Sequence, residues 1–275
     1  MMNLNLAEHP CYYYTGARSL EPGRPTVVFI HGAGHDHSVW TLQTRYFASH
    51  GWNVIAPDLP GHGRSAGPAL ESIEALADWV IALLTGLGCE QAMLVGHSMG
   101  SLIALEAAAQ LGPRVSHLVL VGTAYPMKVS PALIESALNE PEKALRMVNV
   151  FSRSTLAPPS GAGFWVYGAG MALGRKVLRS NREVNLFHRG FVACDSYANG
   201  EQAMAQVQCP VLFVLGAQDQ MTAPKAAQGL IAIARNAGRA VQVVNLPVGH
   251  HQMTEAPDGT LMAIRDYLKT RSLDH

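Results

Sequence analysis

The sequence predicts an α/β protein with a mostly parallel central sheet flanked by helices and a helical insertion in its second half. Three observations carry that prediction. Short apolar runs alternate with helical patterns, the pentapeptide Gly96-His97-Ser98-Met99-Gly100 joins one such run to a helix, and the alternation lapses over about eighty residues before resuming. Taken in order, residues 26–30 are β-branched and apolar and stop at His31-Gly32, which predicts a strand, and residues 39–50 carry the helix after it. A strand over 53–56 closes at Pro57-Asp58 and precedes a helix over 71–87. A strand over 92–95 runs into the pentapeptide, and the Ala/Leu-rich stretch 99–111 continues as helix. Strands follow at 118–121, 211–215 and 241–246, the last two trailed by helices over 223–236 and 254–270. Continuous apolar runs of this kind suit parallel strands buried on both faces. Ligands of such open sheets bind beyond the carboxyl ends of the strands, so the residues just after each strand are the functional candidates.

The lapse in alternation assigns residues 126–206 to a helical cap, with 1–125 and 207–275 forming the core. Within the cap, residues 157–174 combine Pro158 and Pro159 with several glycines and with Phe164, Trp165, Tyr167 and Met171. That composition fits a mobile apolar lid or an ordinary surface connection anchored by its aromatics.

With 275 residues, 48% of them hydrophobic, the chain can bury one large core. Twenty Lys and Arg balance twenty Asp and Glu without a dense basic block, which argues against nucleic acid and anionic membranes as partners. No apolar run reaches the roughly 20 residues needed to span a bilayer. Cys11, Cys89, Cys194 and Cys209 show no metal-finger or CxxC spacing, and the segment MMNLNLAEHP lacks a basic stretch followed by an apolar one. The expectation is a cytoplasmic protein with free thiols, monomeric or homodimeric, acting on a small molecule.

Chemistry centres on Ser98. A strand, a sharp turn and a helix around a GxSxG pentapeptide form a nucleophile elbow, in which glycines two positions either side of the serine leave room for the bent chain. A serine hydroxyl is a poor nucleophile at neutral pH and needs a base and a group that orients the base. Asp219 follows the strand at 211–215 and His250 follows the strand at 241–246, so both emerge at the sheet edge that carries Ser98. The order Ser, Asp, His matches that arrangement.

At this point the chain resembles the α/β-hydrolase superfamily from about residue 26 onward. His31-Gly32 looks like the family's oxyanion motif, and Asp58-Leu59-Pro60-Gly61-His62-Gly63-Arg64-Ser65 looks like its loop after the next strand. Gly249-His250-His251-Gln252-Met253-Thr254-Glu255-Ala256-Pro257 aligns with the segment that marks the catalytic histidine in similar proteins, which selects His250 over His251. The resemblance implies an α/β-hydrolase fold with a cap, a triad of Ser98, Asp219 and His250, and an oxyanion hole from the backbone N–H groups of Ala33 and Met99. It implies a bracing role for His31. Candidate pocket residues are His31, His35, His97, Tyr125, Phe164, Trp165, Met171 and His251.

Other signals are weaker. His31, His35, His37 and Asp36 share one loop beside an elbow that already accounts for the chemistry, so no metal is expected. In Gly32-Ala33-Gly34 the third glycine of a dinucleotide fingerprint is replaced by His37, and no GxxxxGK[ST] is present, so no cofactor is expected. Asp36 and Asp58 are rival carboxylates that precede Ser98, and Asp195 in the cap reads as a bracing residue. The expected reaction is hydrolysis of a carboxylic ester of a small to medium apolar substrate through an acyl-enzyme. Lactonase, thioesterase and carbon–carbon hydrolase chemistries on the same triad are alternatives, as are lyase or peroxidase activities and a ligand-binding sensor without turnover.

Overall fold

The computed structural model describes residues 3–6, 8–154 and 166–269. One eight-stranded sheet comprises β1 (Asn3–Leu6), β2 (His9–Tyr14), β3 (Thr26–Ile30), β4 (Asn53–Pro57), β5 (Ala92–His97), β6 (Val115–Val121), β7 (Val211–Gly216) and β8 (Val241–Leu246). Their order is β1-β2-β4-β3-β5-β6-β7-β8. The strands from β3 to β8 are parallel, and β1 and β2 add an antiparallel edge.

Successive side chains of a strand point to opposite faces, so a sheet covered on both sides needs apolar residues at every position. Val28 and Ile30 of β3, Leu94 of β5, Leu118 and Leu120 of β6 and Phe213 of β7 enter one core. Their neighbours Val27, Phe29, Met93, Val95, Val119, Val121, Leu212 and Val214 enter the other. Between β3 and β6 lie α1 (Thr41–Ser49), α2 (Ile73–Gly86) and α3 (Met99–Leu111). Between β6 and β7 lie α4 (Pro131–Asn139), α5 (Pro141–Phe151), α6 (Val166–Ser180), α7 (Leu186–Ser196) and α8 (Gly200–Gln206). Next come α9 (Gln228–Asn236), α10 (Gln252–Glu255) and α11 (Pro257–Lys269). The helices α2, α3, α8 and α9 cover the first face, and α1 and α11 the second.

The helix expected over 254–270 is broken because Pro257 has no N–H for an intrahelical bond and opens a new helix instead. Turns of 3-10 helix, His37–Trp40 and Pro224–Ala227, lead into α1 and α9. In the excursion between β6 and β7, Leu133, Ala137, Leu145, Met171, Phe187 and Phe191 form a separate small core for α4 to α7. By contrast α8 packs on α3 and contributes Ala203 and Met204 to the main core, so the part standing off the sheet is shorter than residues 126–206. The lid expected over 157–174 falls partly outside the described residues, as do Phe164 and Trp165; from Val166 onward the chain is α6. Among the described residues no helix is long and apolar enough to cross a membrane. Cys11, Cys89, Cys194 and Cys209 are free thiols.

Candidate active site

At the end of β5 the chain turns into α3 through Ser98, whose φ of 53° and ψ of −122° lie where L-residues rarely go. The turn is possible because of its glycines: a Cβ on Gly96 would stand 2.0 Å from the Gly100 carbonyl oxygen, and one on Gly100 would stand 2.4 Å from that of Ile30. Hydrogen bonds pin the strained residue. Its N–H donates to the Val121 carbonyl at 3.0 Å, and its own carbonyl accepts from the N–H and hydroxyl of Ser101 at 2.8 and 2.6 Å. Such strain persists only where the surroundings over-determine it.

Asp219 and His250 leave the ends of β7 and β8 and meet: the His250 Nδ1–H donates to Asp219 Oδ2 at 2.8 Å. Both are buried. The other carboxylate oxygen accepts the N–H groups of Met221 and Thr222, each at 2.8 Å, and the Thr222 hydroxyl lies 2.7 Å from Oδ2 and 2.9 Å from the Gly122 carbonyl oxygen. Burial opposes the charge on Asp219, but His250 and the donors of Thr222 outweigh it and hold the carboxyl below its ordinary value. The imidazole is thereby fixed with its proton on Nδ1, leaving Nε2 free to accept one. The backbone of His250 is held as well, its N–H donating to the Ser152 carbonyl at 2.6 Å.

The amide of Met99 opens α3, where N–H groups have no intrahelical acceptor and the helix dipole favours an anion. Helix α7 rests on this region. A Cβ on Gly190 would come within 2.8 Å of the Ala33 Cβ and 3.3 Å of the Met99 Sδ, so glycine lets the cap backbone close directly over both residues. Beside it, Phe187 takes the space that a Cβ on Gly34 would need.

Ser98 and His250 line one cavity of about 270 Å³ between sheet and cap. Ala33 and Thr222 border it, and Met127, Leu133, Met147, Phe151, Phe191 and Met221 form its apolar wall. Cys194 also reaches it, but burial pushes that thiol up to about 12, so it stays protonated and is a poor nucleophile.

A family model described as the Alpha/beta hydrolase family matches residues 27–263. The chain belongs to the alpha/beta hydrolase family. It is 27% identical over 255 residues, 90% of this chain and 91% of the other, to (E)-2-((N-methylformamido)methylene)succinate hydrolase of Acinetobacter baylyi. In fold it is similar to an enol-lactonase from Burkholderia xenovorans LB400 (TM-score 0.77, 22% identity, covering 98% of this chain and 100% of that one). It is likewise similar to an esterase from Exiguobacterium antarcticum (TM-score 0.79, 18% identity, covering 97% and 98%).

Within this α/β-hydrolase, the remaining candidates divide. His31 is fully buried; its Nδ1–H donates to the Gly32 carbonyl at 2.9 Å and its Nε2 accepts the Leu59 N–H at 3.1 Å, so it braces the loop as a neutral ring, and burial lowers its pKa. His35, His97 and His251 do not line the cavity but pack as rings behind it: His35 lies 5.9 Å from His97 and 5.2 Å from His251, centroid to centroid. Tyr125 donates its hydroxyl proton to the Ala198 carbonyl at 2.7 Å, away from the cavity, and Met171 belongs to the cap's own core. The site expected from these residues is built instead by the methionines and phenylalanines of α5, α7 and the flanking loops.

The rival carboxylates are engaged elsewhere. Asp58 accepts the N–H and Nδ1–H of His37 at 2.9 and 2.7 Å and the Arg64 N–H at 2.9 Å. Asp36 accepts from the Ser38 N–H and from Lys176 Nζ of α6, at 2.9 and 2.6 Å. Ligand atoms of Asp36, His37 and Asp58 lie within 4.8 Å of one another, and each carboxylate oxygen already accepts at least one hydrogen bond. Asp195 accepts the Val129 N–H at 3.0 Å and braces the cap. Thr222 escaped sequence reasoning, although an Asp followed three residues later by Thr is a pattern in which a carboxylate gathers local N–H donors.

Proposed function

We propose that this protein is a serine hydrolase that cleaves a carboxylic ester of a small to medium apolar substrate in two steps, with Ser98 as nucleophile, His250 as base and then acid, and Asp219 as its orienting carboxylate. The observation that carries this reading is the strained Ser98 opening onto the same cavity as His250, whose ring proton is held by Asp219. The Ser98 hydroxyl attacks the carbonyl carbon while its proton passes to His250 Nε2, and the oxyanion is received by the N–H groups of Ala33 and Met99. Collapse of the intermediate expels the alcohol with the proton from His250. Water, deprotonated by the neutral imidazole, then attacks the acyl-serine, and the acid leaves with Ser98 restored. Side chains, two backbone amides and water supply every step.

The wall of the cavity suggests the substrate class. A dry apolar cavity of about 150 Å³ holds benzene, so this one has room for roughly ten non-hydrogen atoms. Its methionines are flexible and polarizable, which suits irregular apolar groups. The names of similar proteins, a hydrolase, an enol-lactonase and an esterase, agree with acyl transfer to water. Treatment with a fluorophosphonate should label Ser98, and p-nitrophenyl esters of increasing chain length should pass through an optimum at short to medium acyl groups. Turnover that survives Ser98→Ala would sink the proposal. Lactones and thioesters assayed beside the esters separate the related chemistries.

A further inference from the structure

We propose that His97 is a positioning residue that holds the His250 imidazole in register with Ser98 by gripping the backbone of the histidine loop. This rests on the serine-hydrolase reading above. His97 directly precedes Ser98 and is fully buried. Its Nε2 lies 2.8 Å from the His250 carbonyl oxygen. A carbonyl can only accept, so Nε2 carries the proton and donates it. The bond spans 153 residues of sequence and joins the end of β5 to the loop after β8, with β6 and β7 lying between them in the sheet.

With this bond the His250 residue is held at three points. Ser152 accepts its N–H, His97 donates to its carbonyl, and Asp219 accepts its ring proton. The two rings also pack, their centroids 4.7 Å apart and their planes inclined by 47°. Space for the arrangement comes from Gly32, where a Cβ would crowd His97 Nδ1 and the Ser98 Cβ, both at 3.2 Å.

Stability alone gives little reason for an imidazole here. Its Nδ1 is buried without a hydrogen-bond partner among the described residues, and an orphaned buried polar atom is a net cost. An apolar side chain of similar volume would avoid that cost. What it could not do is carry a donor from the nucleophile's own strand to the base's own loop, and the separation of those two groups is the distance on which proton transfer depends. Burial and the imidazoles of His250 and His251 push the pKa of His97 well down, so it remains an uncharged donor beside the imidazolium that forms during turnover.

The test compares His97→Leu, His97→Gln and His97→Asn with the wild-type chain on a short p-nitrophenyl ester. The terminal amide of Gln reaches about as far as Nε2, whereas that of Asn stops at the position of Nδ1. His97→Leu should lower kcat by about 10²-fold, the scale of a small misplacement of reacting groups. KM should stay within about twofold, because His97 does not line the cavity. His97→Gln should recover most of kcat and His97→Asn should not. If the Leu variant fails to fold, the Gln and Asn pair decides on its own. Equal kcat in Gln and Asn variants of matched thermal stability would overturn the proposal, as would a folded Leu variant with wild-type kcat. Turnover persisting in Ser98→Ala would bring down the serine-hydrolase reading and this inference together. Ser98-dependent turnover that ignores the donor at position 97 would bring down this inference alone.

Discussion

Asp219 collects four donors on two oxygens: the N–H groups of Met221 and Thr222 on one, the Thr222 hydroxyl and the His250 ring on the other. An asparagine cannot satisfy both sets. With its oxygen toward the backbone amides, its NH₂ faces Nδ1 and drives the imidazole to the tautomer with the proton on Nε2, which can no longer accept from Ser98. Asp219→Asn should therefore cut kcat by about 10⁴-fold in a steady-state ester assay, and a loss under tenfold would place the orienting acid elsewhere. Thr222 acts more gently. Its hydroxyl carries one proton to share between Asp219 Oδ2 and the Gly122 carbonyl, and a single neutral hydrogen bond is worth about 1 kcal/mol. Thr222→Val should lower kcat roughly five- to tenfold, with Thr222→Ser close to wild type; identical rates in all three would remove Thr222 from the site.

At the scale of elements, Glu255 of α10 is the joint between cap and sheet. Its buried carboxylate faces three backbone N–H groups: Ser154 at 2.9 Å, just past α5, and Gly249 and His251 at 3.3 Å, on either side of His250. Glu255→Gln turns one acceptor into a donor aimed at donors, which costs about 1–3 kcal/mol. At about 2–4 °C per kcal/mol for a chain near this size, thermal unfolding should shift down by several degrees. An unchanged melting curve would show that the joint carries no stability. Sequence reasoning reaches this motif as a string ending in Glu255-Ala256-Pro257, but the partner Ser154 lies about a hundred residues away and leaves no local trace. The same limit explains what else was legible. The strands over 26–30 and 241–246 coincide with β3 and β8: β3 declares itself by continuous buried apolar residues, and β8, an edge strand that exposes Gln242 and Asn245, by its three valines. The hairpin of β1 and β2 is absent from the sequence reading, since its turn passes through Glu8 at φ 68° without the Asn-Gly signal of a tight hairpin, and Pro10, a residue that argues against a strand, sits at the second position of β2. Ser98, Asp219 and His250 stand out as candidates in the sequence because each lies within four residues of a strand's carboxyl end. The apolar cap residues Met127, Met147, Phe151 and Phe191 stand out in the sequence, but which cap residues wall the cavity does not, because a methionine in a helical excursion looks the same whether it faces a ligand or another helix. Met127 and Met147 line the cavity while Met171 packs in the cap core.

Across the whole molecule the unusual feature is a body of histidine kept dry around one end of the sheet. His31, His62, His97 and His251 are all buried. Burial lowers each of their pKa values, that of His62 to about 4 and that of His251 to about 3, and the neighbouring imidazoles push the same way. An unfolded chain titrates these groups near 6.5, so below that pH the unfolded state binds protons that the folded state refuses. The stability they contribute is complete above pH 6.5 and is lost as the pH falls toward 4 and 3. Several such groups titrating together weaken the fold progressively across that window. The buried carboxylates act in a lower window: Asp58 and Asp219 are shifted below 3.8, and their contribution is lost only as the pH drops beneath that value. A fall in melting temperature between pH 6.5 and 4 is thus a histidine effect. Thermal unfolding followed across that range should show a steep decline, and His251→Asn, which removes one titrating ring, should make it shallower. A melting temperature that holds level from pH 7 to 4.5 would mean that the rings accept protons in the folded state, and that the interior around His250 is open to water.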